Sequence, residues 1–177
     1  TGRLVSGGAS FTPPVFCEKG AETEEPDAPE RAGYDFGGWY ADAACAEPFA
    51  FGGTLASDTV VYARWIPAAS ACRVIFWKQK TTDAAGLPDA EKTYDYVSSR
   101  LLTDGVVTGM TVTLDTADTR VWGANGSSTD ADKQCFVYNA ANSDQSVTVK
   151  ADGSSALNVY YDRVPITLQF YTYSDSY

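Results

Sequence analysis

Histidine does not occur in this 177-residue chain, which removes the usual general base, the imidazole zinc ligand and every Ser-His or Cys-His nucleophile pair. Most familiar hydrolase chemistry goes with it, and no enzymatic activity is expected. Basic residues are scarce as well: 13 Lys and Arg stand against 23 Asp and Glu, for a formal net charge of −10. Divided near Ile66, the first part carries −6 (4 basic, 10 acidic) and the rest −4 (9 basic, 13 acidic), so neither holds a basic arm. Nucleic acid and anionic membranes are bound through clustered Lys and Arg, and neither partner is expected here. No apolar run approaches the ~20 residues of a membrane helix, and the N-terminus lacks the basic and apolar regions of a signal peptide. Membrane insertion by this stretch is therefore not expected. The chain opens inside a strand-like run at residues 3–5 and closes in another at 165–171, the pattern of an internal fragment with sequence on both sides.

Cysteine is sparse: Cys17, Cys45, Cys72 and Cys135 stand far apart, with no C-x-x-C pair for zinc or redox work. Free buried thiols and disulfides both fit them. Of the possible connectivities, Cys17–Cys45 with Cys72–Cys135 respects a boundary between two modules, and it requires an oxidising, extracellular setting.

What the chain has is apolar and aromatic content, 44% and 13%, as a folded protein does. The densest core signal is residues 33–40, GYDFGGWY, where four aromatics and three glycines share eight positions. Strand alternation puts Tyr34, Phe36 and Gly38 on one face and Asp35, Gly37 and Trp39 on the other. Burial of Trp39 alone contributes at most about 4–6 kcal/mol, taking roughly 150–250 Å² at about 25 cal/mol/Å². That is a structural role.

Before this strand, residues 11–16 are interrupted by Pro13 and Pro14 and predict an edge segment, since proline cannot donate to a ladder. Residues 18–30, acidic and carrying Pro26 and Pro29, predict a solvated loop. After it, residues 59–65, TVVYARW, are rich in β-branched and aromatic residues and predict the closing strand of a first module, residues 1–66. Small residues at 67–71 make a linker. A second module, 72–164, opens on the alternating strand 73–80 and continues through strands at 92–97 and 101–114, with a turn at Asp104 and Gly105. Helical periodicity is not convincing anywhere, and residues 124–134 predict a polar loop. Residues 146–149 lead through Asp152 and Gly153 into 156–163, which predicts a hairpin. Residues 165–177 begin a next module or form a final strand. The fold class expected is mainly β, α+β at most.

The first module carries a resemblance. PERAGYDFGGWYADAACAEPFAF followed by VVYARW resembles the Listeria–Bacteroides repeat, the internalin B-repeat module of bacterial surface proteins, over about residues 4–66. The matching positions are Gly33, Tyr34, Phe36, Gly38, Trp39, Tyr40, Asp42, Phe49, Phe51, Tyr62, Ala63 and Trp65. The segment VTVKADGSSALNVYYDR resembles the closing hairpin of the mucin-binding-like β-grasp modules of Gram-positive surface proteins, with residues 72–164 as their extent. The two resemblances imply tandem, small β-grasp-like modules of a cell-surface or cell-wall protein, without cofactor. The expected role is a stalk or adhesin surface meeting a host protein or glycan, beside neighbouring repeats of the same chain. The alternative is a carbohydrate-binding module for mucin glycans.

Candidate ligand residues lie outside the first motif. Trp122, in a loop beside Gly123, is the best placed to stack on a sugar ring, ahead of Trp77, Tyr171 and Tyr173. Asp130 and Asp132 in the loop TDAD have the oxygen ligands calcium takes, but the glycine and terminal glutamate of an EF-hand are missing, and no metal is expected. Intramolecular Lys–Asn isopeptide bonds require a buried Lys, an Asn and an acid together; none of the lysines stands out as buried, and no such bond is expected.

Overall fold

The computed structural model describes residues 9, 10, 12–122 and 128–171. The strand-like run at 3–5 lies outside them. Two compact units are present: one gathers Thr1–Ala71, Thr103–Met110 and Thr148–Ser154, the other Cys72–Leu102, Thr111–Val147 and Ser155–Tyr177. Two short pieces from the later sequence thus pack with the first unit, a long-range pairing that local composition does not signal.

In the first unit, β1 (Tyr34–Tyr40) pairs antiparallel with β2 (Tyr62–Pro67), Phe36 opposite Trp65 and Tyr40 opposite Tyr62. The register shifts between Phe36 and Trp39, so Gly37 and Gly38 together face Arg64 in a bulge. Gly38 takes φ 98°, open to glycine at little cost. Plain alternation separates Phe36 from Trp39; the bulge brings their rings to 5.4 Å, edge to face, with Trp65 6.0 Å from Phe36. Trp39 and Tyr40 end up buried. The Asp42 carboxylate closes the following turn by accepting the backbone N–H groups of Ala44, Ala46 and Glu47 at 2.8, 3.0 and 2.8 Å. Those bonds, Glu47's first, hold its pKa below the ordinary carboxylate value.

Gly33 is confined by space as well as by φ 78°: a Cβ there lies 2.5 Å from the Ala151 Cβ and 2.8 Å from Thr108 side-chain atoms. Ala68 N–H donates to the Gly33 carbonyl, Thr108 N–H to that of Ala68, and the Ser70 hydroxyl to that of Lys150. These bonds hold the two returning segments against the end of β1. Residues 18–30 form the expected exposed loop, tied at Thr23 to Gly52 and Gly53.

In the second unit a four-stranded mixed sheet runs in the order β4-β3-β8-β6. Here β3 (Cys72–Gln79) lies antiparallel to β4 (Tyr94–Leu102) and parallel to β8 (Ser155–Arg163), which is antiparallel to β6 (Phe136–Asn139). Alternate residues of the two central strands make the core: Cys72, Val74 and Phe76 from β3, Leu157, Val159 and Tyr161 from β8, all at most 3% exposed. A separate ribbon pairs β5 (Thr111–Thr113) with β7 (Ser146–Thr148).

Three expectations change. The predicted hairpin does not form, because β8 has β3 on one edge and β6 on the other, leaving β7 to pair with β5. A short helix, α1 (Asp130–Cys135), stands where a polar loop was expected, started by a capping box in which Thr129 and Asp132 satisfy each other's backbone N–H groups. All four cysteines are free thiols, so neither Cys17–Cys45 nor Cys72–Cys135 is bridged; Cys17 and Cys135 are exposed, whereas Cys72 is buried as the first core residue of β3.

Gly33→Ala is expected to destabilise the first unit by at least about 2 kcal/mol, combining backbone strain with the clash at Ala151. Gly38→Ala, with open space around its Cβ, is expected to cost about 1 kcal/mol. Urea unfolding followed by tryptophan fluorescence measures both. Asp42→Ala is expected to lower the melting temperature at neutral pH. A carboxylate whose pKa is lowered on folding stabilises above its ordinary value of 3.8 and loses that contribution as pH falls below it. The gap between wild type and variant should therefore close in thermal melts taken at progressively lower pH.

Candidate functional site

Trp122 is not a surface platform. It is 4% exposed, its ring lying 5.1 Å from Phe136 and 5.2 Å from Tyr161 at a steep angle. Its backbone is in the left-handed region at φ 63°. The Tyr161 hydroxyl beneath it sits 2.6 Å from the carbonyls of both Asp118 and Arg120, tying this loop to the sheet. Asp118, itself fully buried, is held in a two-point ion pair by Arg100. The face of Trp122 that a sugar would stack on is thus filled by aromatic packing.

The structure does bring Trp122 and Asp132 together. Asp132 accepts hydrogen bonds from the Thr129 backbone and hydroxyl and from the Trp122 side chain, which hold its pKa below the ordinary carboxylate value. Its oxygens are occupied in starting α1. Asp130 is the first residue of that helix, and its side chain lies outside the described residues. Among the described residues no group of three or more His, Cys, Asp or Glu side chains is placed to hold a metal ion. Trp77 lies part-buried on the other face of the sheet, stacked at 6.3 Å on Tyr160, its indole N–H donating to Asn158 Oδ1 at 3.0 Å. Tyr171 is exposed, and Tyr173 lies outside the described residues.

That second face of the sheet carries a polar cluster the sequence did not announce. Asp162, on β8, receives three donors: Lys92 Nζ at 2.6 Å and Asn139 Nδ2 at 2.7 Å on one oxygen, and the Tyr94 hydroxyl at 2.8 Å on the other. Asp89, in a 3-10 turn (Asp89–Glu91), also accepts from Lys92 and, at 3.2 Å, from Asn139 Nδ2. Asn142 Nδ2 donates to the Tyr94 hydroxyl at 3.1 Å. Asn139 Oδ1 points the other way and accepts the backbone N–H groups of Ala141 and Asn142, both at 3.0 Å. Lys92 and Asp162 are largely shielded, with side chains 15% and 13% exposed, and the Tyr94 ring packs 4.6 Å from Tyr160.

Electrostatics follow from this crowding. The two carboxylates, Asp162 first, push the Lys92 pKa upward. Burial, reinforced by the Asp162 carboxylate, pushes the Tyr94 phenol up to about 12. The lysine and the acid come from positions 70 residues apart, which is why neither stands out locally. One signal was available. With Leu157, Val159 and Tyr161 inward, Asp162 belongs to the opposite face with Tyr160, where a charge invites a partner.

The first unit holds a different feature, a cavity of about 990 Å³ lined by Trp39, Phe49, Phe51, Tyr62 and Trp65 with Arg31 among others. The indole N–H of Trp39 is buried with no partner within the described residues. Arg31 lies 4.0 Å over the Tyr34 ring. The motif aromatics therefore serve both as core and as cavity wall.

With these elements in place, the comparisons with known proteins locate the first unit. Residues 5–64 match the Listeria-Bacteroides repeat domain. Over 61 residues the chain is 38% identical to a protein of Evansella cellulosilytica named "Putative membrane protein". That match covers 34% of this chain and 9% of the relative. No solved structure matches the chain. Residues 5–64 thus form a Listeria-Bacteroides repeat domain, and the chain's Tyr34, Phe36, Trp39, Tyr40, Tyr62 and Trp65 build β1 and β2 of the first unit.

Asp162→Ala is expected to destabilise the second unit by about 2–3 kcal/mol, because it leaves Lys92, Tyr94 and Asn139 without their shared acceptor. Asp89→Ala, at the exposed margin of the cluster, is expected to cost less; denaturant unfolding of both variants makes the comparison. Ultraviolet titration should show one tyrosine ionising at about 12 in wild type and not in Tyr94→Phe.

Proposed function

We propose that this chain supplies non-catalytic modules to a bacterial cell-surface protein, outside the cell or in the cell wall, where they serve as stalk and adhesive surface. The observation that carries the reading is the Listeria-Bacteroides repeat at residues 5–64, whose motif residues are spent on β1, β2 and their packing. The name borne by the Evansella relative is in keeping with a surface setting. No helix among the described residues is long and apolar enough to cross a membrane. The second unit supports a mucin-binding-like β-grasp module through its strand order, in which the first and last strands of the sheet run parallel at its centre. Its partners on this reading are a host protein or glycan and neighbouring repeats of the parent chain.

A second reading, recognition of a mucin glycan, is favoured by the aromatic cavity of the first unit and not by Trp122. Sugar rings stack on aromatic faces, and the unpartnered Trp39 N–H offers a donor. On the stalk and adhesin reading, deletion of both units from the full-length protein lowers adhesion of the bacterium to host cells or matrix; unchanged adhesion removes the adhesive part. On the glycan reading, the chain binds mucin oligosaccharides on an array and Tyr62→Ala weakens that binding several-fold, while an array without signal discards it.

A further inference from the structure

We propose that Lys92 and Asn139 are the reacting pair of an intramolecular isopeptide bond, with Asp162 as the acid–base group between them. The juxtaposition has every part such a reaction needs, and it stands independently of the adhesive reading. Lys92 Nζ and Asn139 Nδ2 rest on the same oxygen of Asp162, at 2.6 and 2.7 Å, and both also contact Asp89 Oδ1. The orientation of the Asn139 amide follows from its partners: its nitrogen faces two carboxylate oxygens and its oxygen faces two backbone N–H donors. Turning it over sets like against like at all four contacts.

Each contact has a place in the chemistry. The Asp162 carboxylate takes a proton from the Lys92 ammonium, leaving a neutral amine. Its lone pair attacks Asn139 Cγ, forming the new C–N bond as the carbonyl π pair moves onto Oδ1. The N–H groups of Ala141 and Asn142, each 3.0 Å away, receive the developing oxyanion. Collapse of the tetrahedral intermediate breaks the bond to Nδ2: Asp162 gives its proton to Nδ2, which departs as ammonia, and the extra proton left on the Lys92 nitrogen passes through the freed Asp162 carboxylate to that ammonia. The balance is one lysine ammonium and one primary amide giving one secondary amide and one ammonium ion, with Asp162 restored as carboxylate and no oxidant or cofactor consumed. The raised pKa of Lys92 opposes the first step, and the shielding of the cluster beside the Tyr94 and Tyr160 rings favours the neutral pair that the proton transfer produces.

The placement also has a mechanical consequence. Lys92 leads into β4 and Asn139 ends β6, and these are the two edge strands of the sheet, with β3 and β8 between them. A covalent link there closes the sheet at one end, a staple suited to a stalk under tension.

The test is mass spectrometry of the purified 177-residue chain. Wild type is expected to weigh less than its sequence by one ammonia molecule and to yield a tryptic peptide joining the segments around Lys92 and Asn139, uncut at Lys92. Lys92→Arg and Asn139→Ala are expected to have full mass, and Asp162→Asn to lose the ammonia at least tenfold more slowly, followed over time after purification. An unmodified wild type after prolonged incubation at pH 8 overturns the proposal. So does loss of water in place of ammonia, which assigns the bond to Asp89 or Asp162. Loss of ammonia without the joined peptide also overturns it, since a succinimide at Asn139 has the same mass and is cleaved by hydroxylamine.

Discussion

The parallel pairing of β3 with β8 is the constraint on which the second unit depends. Parallel strands cannot be joined by a tight turn, and here Cys72 pairs with Ser155 across most of the unit's sequence. Once the two lie side by side, their alternate residues form one continuous apolar surface, and β4 and β6 have only the outer edges to occupy. The same pairing turns Trp77 and Tyr160 to the opposite face and orients Asp162 toward Lys92 and Asn139. The core and the polar cluster are thus two faces of one strand register.

The first unit is organised on a smaller device. Two glycines opposite one arginine shift the register of β1 by one residue, and that shift brings Phe36, Trp39 and Trp65 into edge contact. In the repeat motif the glycines are therefore structural in a specific sense: Gly38 supplies the left-handed backbone of the bulge, and Gly33 leaves room for the segment at Ala151. Asp42 acts in the same way, its carboxylate consumed by three backbone donors. Motif conformity in this chain accounts for packing and turns, and its aromatics also line the cavity of the first unit.

The second unit shows how a charge is made useful by its surroundings. Arg100 with Asp118 and Lys92 with Asp162 are both shielded ion pairs, yet their settings differ. Asp118 is enclosed beside the carbonyl that Tyr161 binds, where it organises a loop. Asp162 is shared by three donors of different chemistry, an ammonium, an amide and a phenol. Asp162 thus holds an ammonium and an amide nitrogen on one and the same oxygen.

Composition and local pattern by themselves indicated a mainly β protein and an aromatic-rich strand at residues 33–40, and the spacing of its aromatics and glycines carried the resemblance to a repeat module over about residues 4–66. These are legible because hydrophobic alternation and aromatic density act over a few residues. The capping box of Thr129 and Asp132 was equally local, and a short helix was missed where polar composition suggested only a loop. What tertiary structure alone decided was pairing at a distance: which strand lies beside β8, that Trp122 turns inward, that the four cysteines stay apart, and that Lys92, Asn139 and Asp162 meet. Each depends on contacts between residues tens of positions apart, whose free energy has no signature in either segment until the sheet that joins them exists.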